Sequence, residues 1–132
     1  MGQSYSVSAK LKFKSDDRKD RFCQIIRDYI AAGGDKGTAV FNTKDLDMNE
    51  PFDCFRALTA HDAWIEDDVY YIAEFHGSYA WMFIMEEGFT RAARTLADGS
   101  YIDMMGWDDA TVEINVNNGR VYVRTDEGDD YA

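Results

Sequence analysis

The fold of this chain is decided by residues 89–125, which read FTRAARTLADGSYIDMMGWDDATVEINVNNGRVYVRT. The stretch begins with the end of an amphipathic helix, because its first apolar residues recur at spacings of three and four. Asp98-Gly99 is typical of a helix stop, since glycine accepts the left-handed conformation that follows a last turn. Residues 101–105 then read as a strand.

The second half of the stretch predicts a hairpin. Trp107-Asp108-Asp109 indicates a corner between two strands. Asn118-Gly119 readily accepts the positive backbone angles of a two-residue type I′ turn, so residues 111–117 and 120–125 should pair with each other.

The sequence leaves two possible starting points for this helix. Ser78 can cap its start, and Gly88 interrupts it at a cost of about 1 kcal/mol relative to alanine. Residues 81–85 are therefore either the first half of this helix or a strand. The apolar stripe comprises Met82, Met85, Phe89, Ala92, Ala93 and Leu96.

The N-terminal residues 4–14 alternate between apolar and polar, which predicts a strand with one dry face. The dry face comprises Tyr5, Val7, Ala9, Leu11 and Phe13. On the wet face, Lys10, Lys12 and Lys14 either protect an exposed sheet edge or form a basic patch.

A first helix should follow over residues 16–32, where Ser15 supplies the cap and Gly33-Gly34 the stop. Its inner face comprises Phe22, Ile25, Ile26 and Tyr29. Residues 38–42 read as a short strand, and 44–50 as a polar loop.

Pro51 opens a second, short helix that should run to about residue 60, because proline is tolerated in a first helical turn. Residues 69–76 are rich in β-branched and aromatic side chains and predict a strand that pairs with 63–65. Bulk on both of its faces favours a central place in the sheet. Glu66-Asp67-Asp68 would form the acidic turn between these two segments.

These elements predict an α+β two-layer sandwich, in which a mainly antiparallel sheet of about five strands packs on two main helices. A ferredoxin-like strand order is compatible with the pattern. Residues 1–132 should form a single domain, with 126–132 as a frayed acidic tail.

The charge is the strongest global property, because 25 acidic and 14 basic residues give a net charge of −11. This balance disfavours direct binding to nucleic acid or to anionic membranes, and it favours either simple solubility or a basic protein partner. No apolar run approaches the roughly 18 residues of a membrane span, so a cytoplasmic protein is expected.

No catalytic or cofactor motif is recognisable in the chain. Cys23 and Cys54 have the pattern of buried thiols, and His61 and His76 lack a nucleophile or further metal ligands nearby in sequence. Residues 45–49 resemble the start of a calcium loop, but Glu50 stands where the sharp turn needs glycine. We therefore expect no cofactor, no metal and no enzymatic activity.

Aromatic and acidic residues together suggest a different kind of site. Tryptophans and tyrosines are interleaved with acidic turns, and a rigid aromatic centre with an acidic rim would suit a basic protein partner. The candidate partner-binding residues are Glu66, Asp67, Asp68, Trp107, Asp108 and Asp109.

The order of elements in residues 89–123 resembles that of small α+β proteins of bacteria and their phages. The shared pattern is a helix, the strand entry Asp98-Gly99-Ser100-Tyr101-Ile102, and a terminal hairpin at Asn118-Gly119. Such proteins mostly have no assigned activity, so the resemblance implies a fold and no functional residue.

The sequence hypothesis is thus a non-enzymatic, acidic protein-binding or regulatory domain. Small size and negative charge would suit a blocker of a cationic active site, such as a bacterial immunity protein or a phage inhibitor. The alternative is a small enzyme or ligand-binding domain that uses a cleft in which histidine meets an acidic residue.

Overall fold

A computed structural model of the chain describes residues 4–33, 47, 49–56, 62–106, 110–125 and 128–131. The strand predicted at 38–42, the corner at 107–109 and the end of the short helix beyond residue 56 lie outside these residues. Over the described part, the elements in chain order are β1 (Ser4–Leu11), α1 (Asp16–Gly33), α2 (Pro51–Arg56), β2 (Asp62–Glu66), β3 (Val69–Ser78), α3 (Tyr79–Ala93), β4 (Tyr101–Gly106), β5 (Thr111–Asn117), β6 (Arg120–Thr125) and β7 (Gly128–Tyr131).

The described strands form one antiparallel sheet in the order β2-β3-β1-β4-β5-β6-β7. Its first four strands, together with α1 and α3, have the β-α-β-β-α-β connectivity of the ferredoxin-like arrangement. The α+β class is therefore confirmed. The sheet is wider than the predicted five strands, because β5, β6 and β7 extend it beyond β4.

Strand β1 lies in the interior of the sheet, between β3 and β4. The hypothesis that its lysines protect an exposed edge is therefore wrong, because both edges of β1 are already hydrogen-bonded. The predicted alternation is confirmed for Val7, Ala9 and Leu11, which are all buried. The strand ends early because the Lys12 N–H donates to Ser100 Oγ, at 2.9 Å, and not to a ladder partner.

Helix α1 agrees with its prediction at both ends. The Ser15 hydroxyl oxygen accepts the N–H of Arg18 at 3.3 Å, which is the expected cap. Phe22 and Ile26 are fully buried, while Ile25 and Tyr29 pack against the edge of the core.

Helix α3 runs without interruption through residues 81–85, so the helical alternative is correct. Gly88 is required by packing and not by a turn. A Cβ atom at Gly88 would lie 2.8 Å from Cγ of Tyr29, well inside van der Waals contact. The absence of a side chain at this position lets α1 and α3 approach each other closely.

Helix α3 ends at Ala93, and the prediction that Asp98-Gly99 closes it is wrong. The backbone tightens first, because the Leu96 N–H donates to the Ala93 carbonyl at 3.0 Å, three residues back. Leu96 then pairs with Phe13 in an isolated bridge. The apolar spacing of α3 therefore continues to Leu96, beyond the end of the helix. Asp98-Gly99 forms the next turn, with Gly99 at a φ of 89°.

The C-terminal hairpin forms as predicted, with φ values of 53° at Asn118 and 72° at Gly119. Asp98 Oδ1 accepts the Gly119 N–H at 2.9 Å, so the two turns are joined. The prediction of a frayed tail is wrong over β7, which pairs with β6. This pairing satisfies backbone groups that an unpaired β6 edge would leave open.

The hydrophobic core fills the space between the helices and one face of the sheet. Its largest fully buried side chains are Phe22, Phe89, Leu11, Ile26, Ile72 and Ile102. On the opposite face, no helix of the described residues packs against the strands. That uncovered face carries aromatic and charged side chains.

Candidate functional site

The hairpin of β2 and β3 carries the first acidic cluster at one edge of the described sheet. Glu66, Asp67 and Asp68 are all exposed at its tip. Asp67 and Asp68 have φ values of 52° and 63°, the left-handed region that a two-residue turn of this kind requires. Aspartate tolerates this region less well than the Asn-Gly pair of the other hairpin.

An aromatic pair stands directly beside this tip. Trp64 lies opposite Tyr71 in the β2–β3 register, with ring centroids 5.2 Å apart and ring planes 9° from parallel. Trp64 is 46% exposed and its neighbour Ile65 is 54% exposed. Large side chains with this much exposure present apolar area to a partner.

Tyr70 anchors the same hairpin from the other face. Its ring packs edge-on against Phe13 and Phe52, at centroid distances of 5.8 Å and 4.9 Å. Its hydroxyl donates to Glu50 Oε2 at 3.2 Å, and burial raises the pKa of that hydroxyl, with the negative charge of Glu50 adding to the effect. The adjacent tyrosines thus have separate tasks, since Tyr70 packs inward and Tyr71 supports Trp64.

The Trp64–Tyr71 pair is the start of a cross-strand row on the uncovered face, here called the aromatic row. In register order its members are Trp64, Tyr71, Lys10, Tyr101, Asn115 and Tyr122. Six strands spaced about 4.8 Å apart make this row about 24 Å long. Three tyrosines and a tryptophan therefore line one straight track across the sheet.

A parallel row of charged side chains contains a carboxylate pair. Asp103 on β4 lies directly opposite Glu113 on β5, and both line a groove of about 280 Å³ together with Ser6 and Ser8. Burial raises the pKa of Asp103 above its ordinary value, and the neighbouring charge of Glu113 raises it further. Among the described residues, no group of three or more His, Cys, Asp and Glu side chains converges on a possible metal site.

We expect Asp103→Asn to stabilise the protein at neutral pH by about 0.5 kcal/mol, the scale of a directly opposed like-charge pair. Because the folded-state pKa is raised, the stability contributed by Asp103 is present below its unfolded pKa of about 3.9 and is lost as pH rises through the folded pKa. Urea denaturation at neutral and acidic pH measures the difference. The advantage of the variant should disappear in acid, and a pH-independent difference would contradict this account.

The second half of the predicted site, Trp107, Asp108 and Asp109, lies outside the described residues. The strand ends on either side of it can be placed. Gly106 pairs with Tyr5, whereas Tyr70 at the acidic hairpin pairs with Leu11 at the other end of β1. The chain therefore enters residues 107–109 at the end of the sheet opposite to the tip of Glu66, Asp67 and Asp68.

The two histidines give no described side-chain geometry. His61 lies outside the described residues. The backbone of His76, in β3, pairs with that of Ser6 in β1. In the stretch that resembles a calcium loop, Asp47 Oδ1 accepts the Asn49 N–H and Asp53 Oδ2 accepts the Asp47 N–H. These carboxylate oxygens hold a local turn.

The prediction of buried thiols is confirmed for both cysteines. Cys23 Sγ donates to the Asn49 carbonyl at 3.3 Å. A hydrogen bond with Cys23, together with burial, raises the pKa of the Cys54 thiol far above its ordinary value. A protonated, buried thiol is a poor nucleophile. The two thiols lie where α1 packs against α2.

Sequence reasoning missed a second surface on the helix side of the molecule. Two arginines of α1, one of α3 and one of the turn that follows α3 line a cleft of about 580 Å³ between these helices, here called the arginine cleft. They are Arg18, Arg21, Arg91 and Arg94. The available signal was a pair of arginines at a spacing of three in each of the two predicted helical segments, which would put both on one helical face.

Comparison with family models, with curated proteins and with solved structures finds no match for this chain. None of the helices in the described part of the chain is both long and apolar enough to cross a membrane.

Proposed function

We propose that this protein is a non-enzymatic binding domain that recognises a basic protein through its β2–β3 hairpin. The observation that carries the proposal is the exposed Trp64, stacked on Tyr71 beside three consecutive exposed carboxylates. A tryptophan supplies a large rigid contact area and accepts a cationic side chain over its ring. The adjacent carboxylates supply the charge that attracts such a cation.

The size and charge of the molecule support this use. The aromatic row, about 24 Å long, leads away from the hairpin and leaves room for a standard interface of roughly 800 Å² on each partner. The net charge of −11 would accelerate encounter with a positively charged surface. A blocker of a cationic active site is the kind of protein these properties suit best.

The backbone of the hairpin tip adds a further argument. Asparagine and glycine would be the easiest residues in this turn, as the second hairpin of the same chain demonstrates with Asn118-Gly119. Asp67 and Asp68 occupy the equivalent positions at some cost in backbone energy. A costly choice at an exposed position is explained if the carboxylates are used in binding.

The test begins with affinity capture from the organism of origin, followed by kinetic measurements on the purified partner at low and high salt. We expect Asp67→Asn with Asp68→Gly to slow association at low salt, because rim charges act mainly on the encounter rate. The same double variant should be more stable by about 0.5–1 kcal/mol, since it removes left-handed aspartates. Asp17→Asn with Asp20→Asn, on α1, makes the same change in charge elsewhere and serves as the control.

Trp64→Ala should instead speed dissociation and weaken binding by about 2 kcal/mol, the scale of an interface hot spot. Met105→Ala is its matched control, because Met105 is 52% exposed but lies outside the aromatic row. Equal effects of the hairpin and control variants, or a partner whose binding ignores salt, would refute the proposal.

A further inference from the structure

The arginine cleft lies between α1 and α3 and is separate from the hairpin surface. Arg18 and Arg21 lie one turn apart near the start of α1, and Arg91 and Arg94 near the end of α3. Helix α1 follows β1 and α3 follows β3, and because β1 and β3 are antiparallel, the two helices run in opposite directions. They pack against each other where Tyr29 meets Gly88. The start of α1 therefore lies beside the end of α3, and four arginines meet there.

The four arginines are not equally available. Arg91 is held by Glu87, with Nη2 and Oε1 2.6 Å apart, and its guanidinium lies over the Tyr29 ring, 5.8 Å from the centroid. Arg18, Arg21 and Arg94 are exposed, and none of them forms an ion pair with any side chain in the described part of the chain. Three guanidinium groups thus face a concave space without a fixed counter-charge.

The charge of the cleft is opposite to that of the whole molecule. Four arginines and Asp28 are the charged residues of its lining, and Glu87 is paired with one of the arginines, which leaves +2 in a chain whose net charge is −11. Asp28 lies ten residues from Arg18 along α1, a distance of about 15 Å, and its Oδ1 is bonded to Gln24 Nε2 at 2.7 Å. The cationic end of the cleft is therefore separated from its one carboxylate.

We propose that the arginine cleft binds a small molecule that carries phosphate groups. Guanidinium forks match phosphate oxygens in pairs, and three uncommitted forks can hold two or more negative charges. A cleft of about 580 Å³ is within the usual range for small-molecule sites. Ile25 and Tyr29 line the remainder and offer an apolar wall for the part of the ligand that bears no charge.

A small ligand fits the electrostatics better than a nucleic acid strand. Charges more than about 10 Å away are largely screened at moderate salt, so a compact anion in the cleft experiences mainly the local positive charge. A long polyanion would also have to cross the acidic remainder of the surface. The cluster is too short a track for a chain of phosphates.

Calorimetric titration with inorganic pyrophosphate at about 0.1 M salt, where the distant acidic charges are largely screened, tests the proposal on the full chain. We expect measurable binding, weakened about tenfold or more by Arg21→Ala with Arg94→Ala, because each removes charge-assisted hydrogen bonds. Arg21→Lys with Arg94→Lys keeps the charge but not the fork and should give an intermediate affinity. Arg120→Ala, at the β5–β6 turn, is exposed and does not line the cleft, so this variant should leave the affinity unchanged.

Circular dichroism melts of each variant establish that the fold is intact. Absence of pyrophosphate binding, or equal losses in the cleft variants and Arg120→Ala, would overturn the proposal. A mixed-sequence oligonucleotide or an anionic lipid vesicle that binds more tightly than pyrophosphate, with the same dependence on Arg21 and Arg94, would also overturn it in favour of a macromolecular surface. These measurements do not involve the hairpin, so they are independent of the proposed protein partner.

Discussion

Replacing Phe89 by alanine should cost about 3–5 kcal/mol of unfolding free energy, the usual range for a buried phenylalanine. Phe89 is fully buried and lies on the face of α3 that packs into the core. A domain of this kind has only about 5–15 kcal/mol of stability in total. The variant should therefore lose a large share of its stability in a urea titration.

Phe89→Leu is the matched control, because it keeps an apolar side chain and most of the volume. We expect it to cost clearly less than the alanine variant. If the two substitutions had equal and small effects, Phe89 would not lie in the core as described.

Replacing Gly88 by alanine should destabilise the protein by up to about 2 kcal/mol, although alanine is the better helix former. The new Cβ would lie 2.8 Å from Cγ and 3.1 Å from Cβ of Tyr29, and these atoms are close to the backbone of α1 and cannot move away cheaply. Overpacking of this kind costs about 1–3 kcal/mol, which exceeds the helix-propensity gain of about 1 kcal/mol.

The sign of this effect should reverse when Tyr29 is replaced by alanine. In a Tyr29→Ala background the obstructing ring is gone, and Gly88→Ala should then stabilise the helix by up to about 1 kcal/mol. A thermodynamic cycle of the two single variants and the double variant measures the coupling. Additive effects would show that Gly88 does not serve the close approach of α1 and α3.

The acidic hairpin illustrates how far local reasoning reaches. The β-branched and aromatic residues of 69–76 and the polar run Glu66-Asp67-Asp68 predict two strands joined by an acidic turn, and β2 and β3 confirm the pairing. The exposure of Trp64 could not be predicted, because a tryptophan in a strand of mixed pattern is usually part of the core. Only the position of β2 at the edge of the described sheet decides it.

The arginine cleft depends even more strongly on the tertiary structure. Arginines at a spacing of three are common on solvated surfaces. These four line one cleft because α1 and α3 pack in opposite directions, which brings residues 70 or more positions apart to one concave surface. The close approach of α1 and α3 at Gly88 could not be predicted either. From the sequence alone, a glycine within a helix only lowers helix stability, and its packing role becomes visible once Tyr29 is seen beside it.

The sequence by itself determined the local elements: the cap at Ser15, the alternation of β1, the turn at Asn118-Gly119 and the α+β class. These depend on backbone preferences and periodicity within a few residues, which any segment carries with it. Tertiary structure decided the interior place of β1, the pairing of β7 and the composition of the two surfaces proposed to bind ligands. These depend on contacts between distant segments, because the sheet order and the helix approach are set by burying one common core.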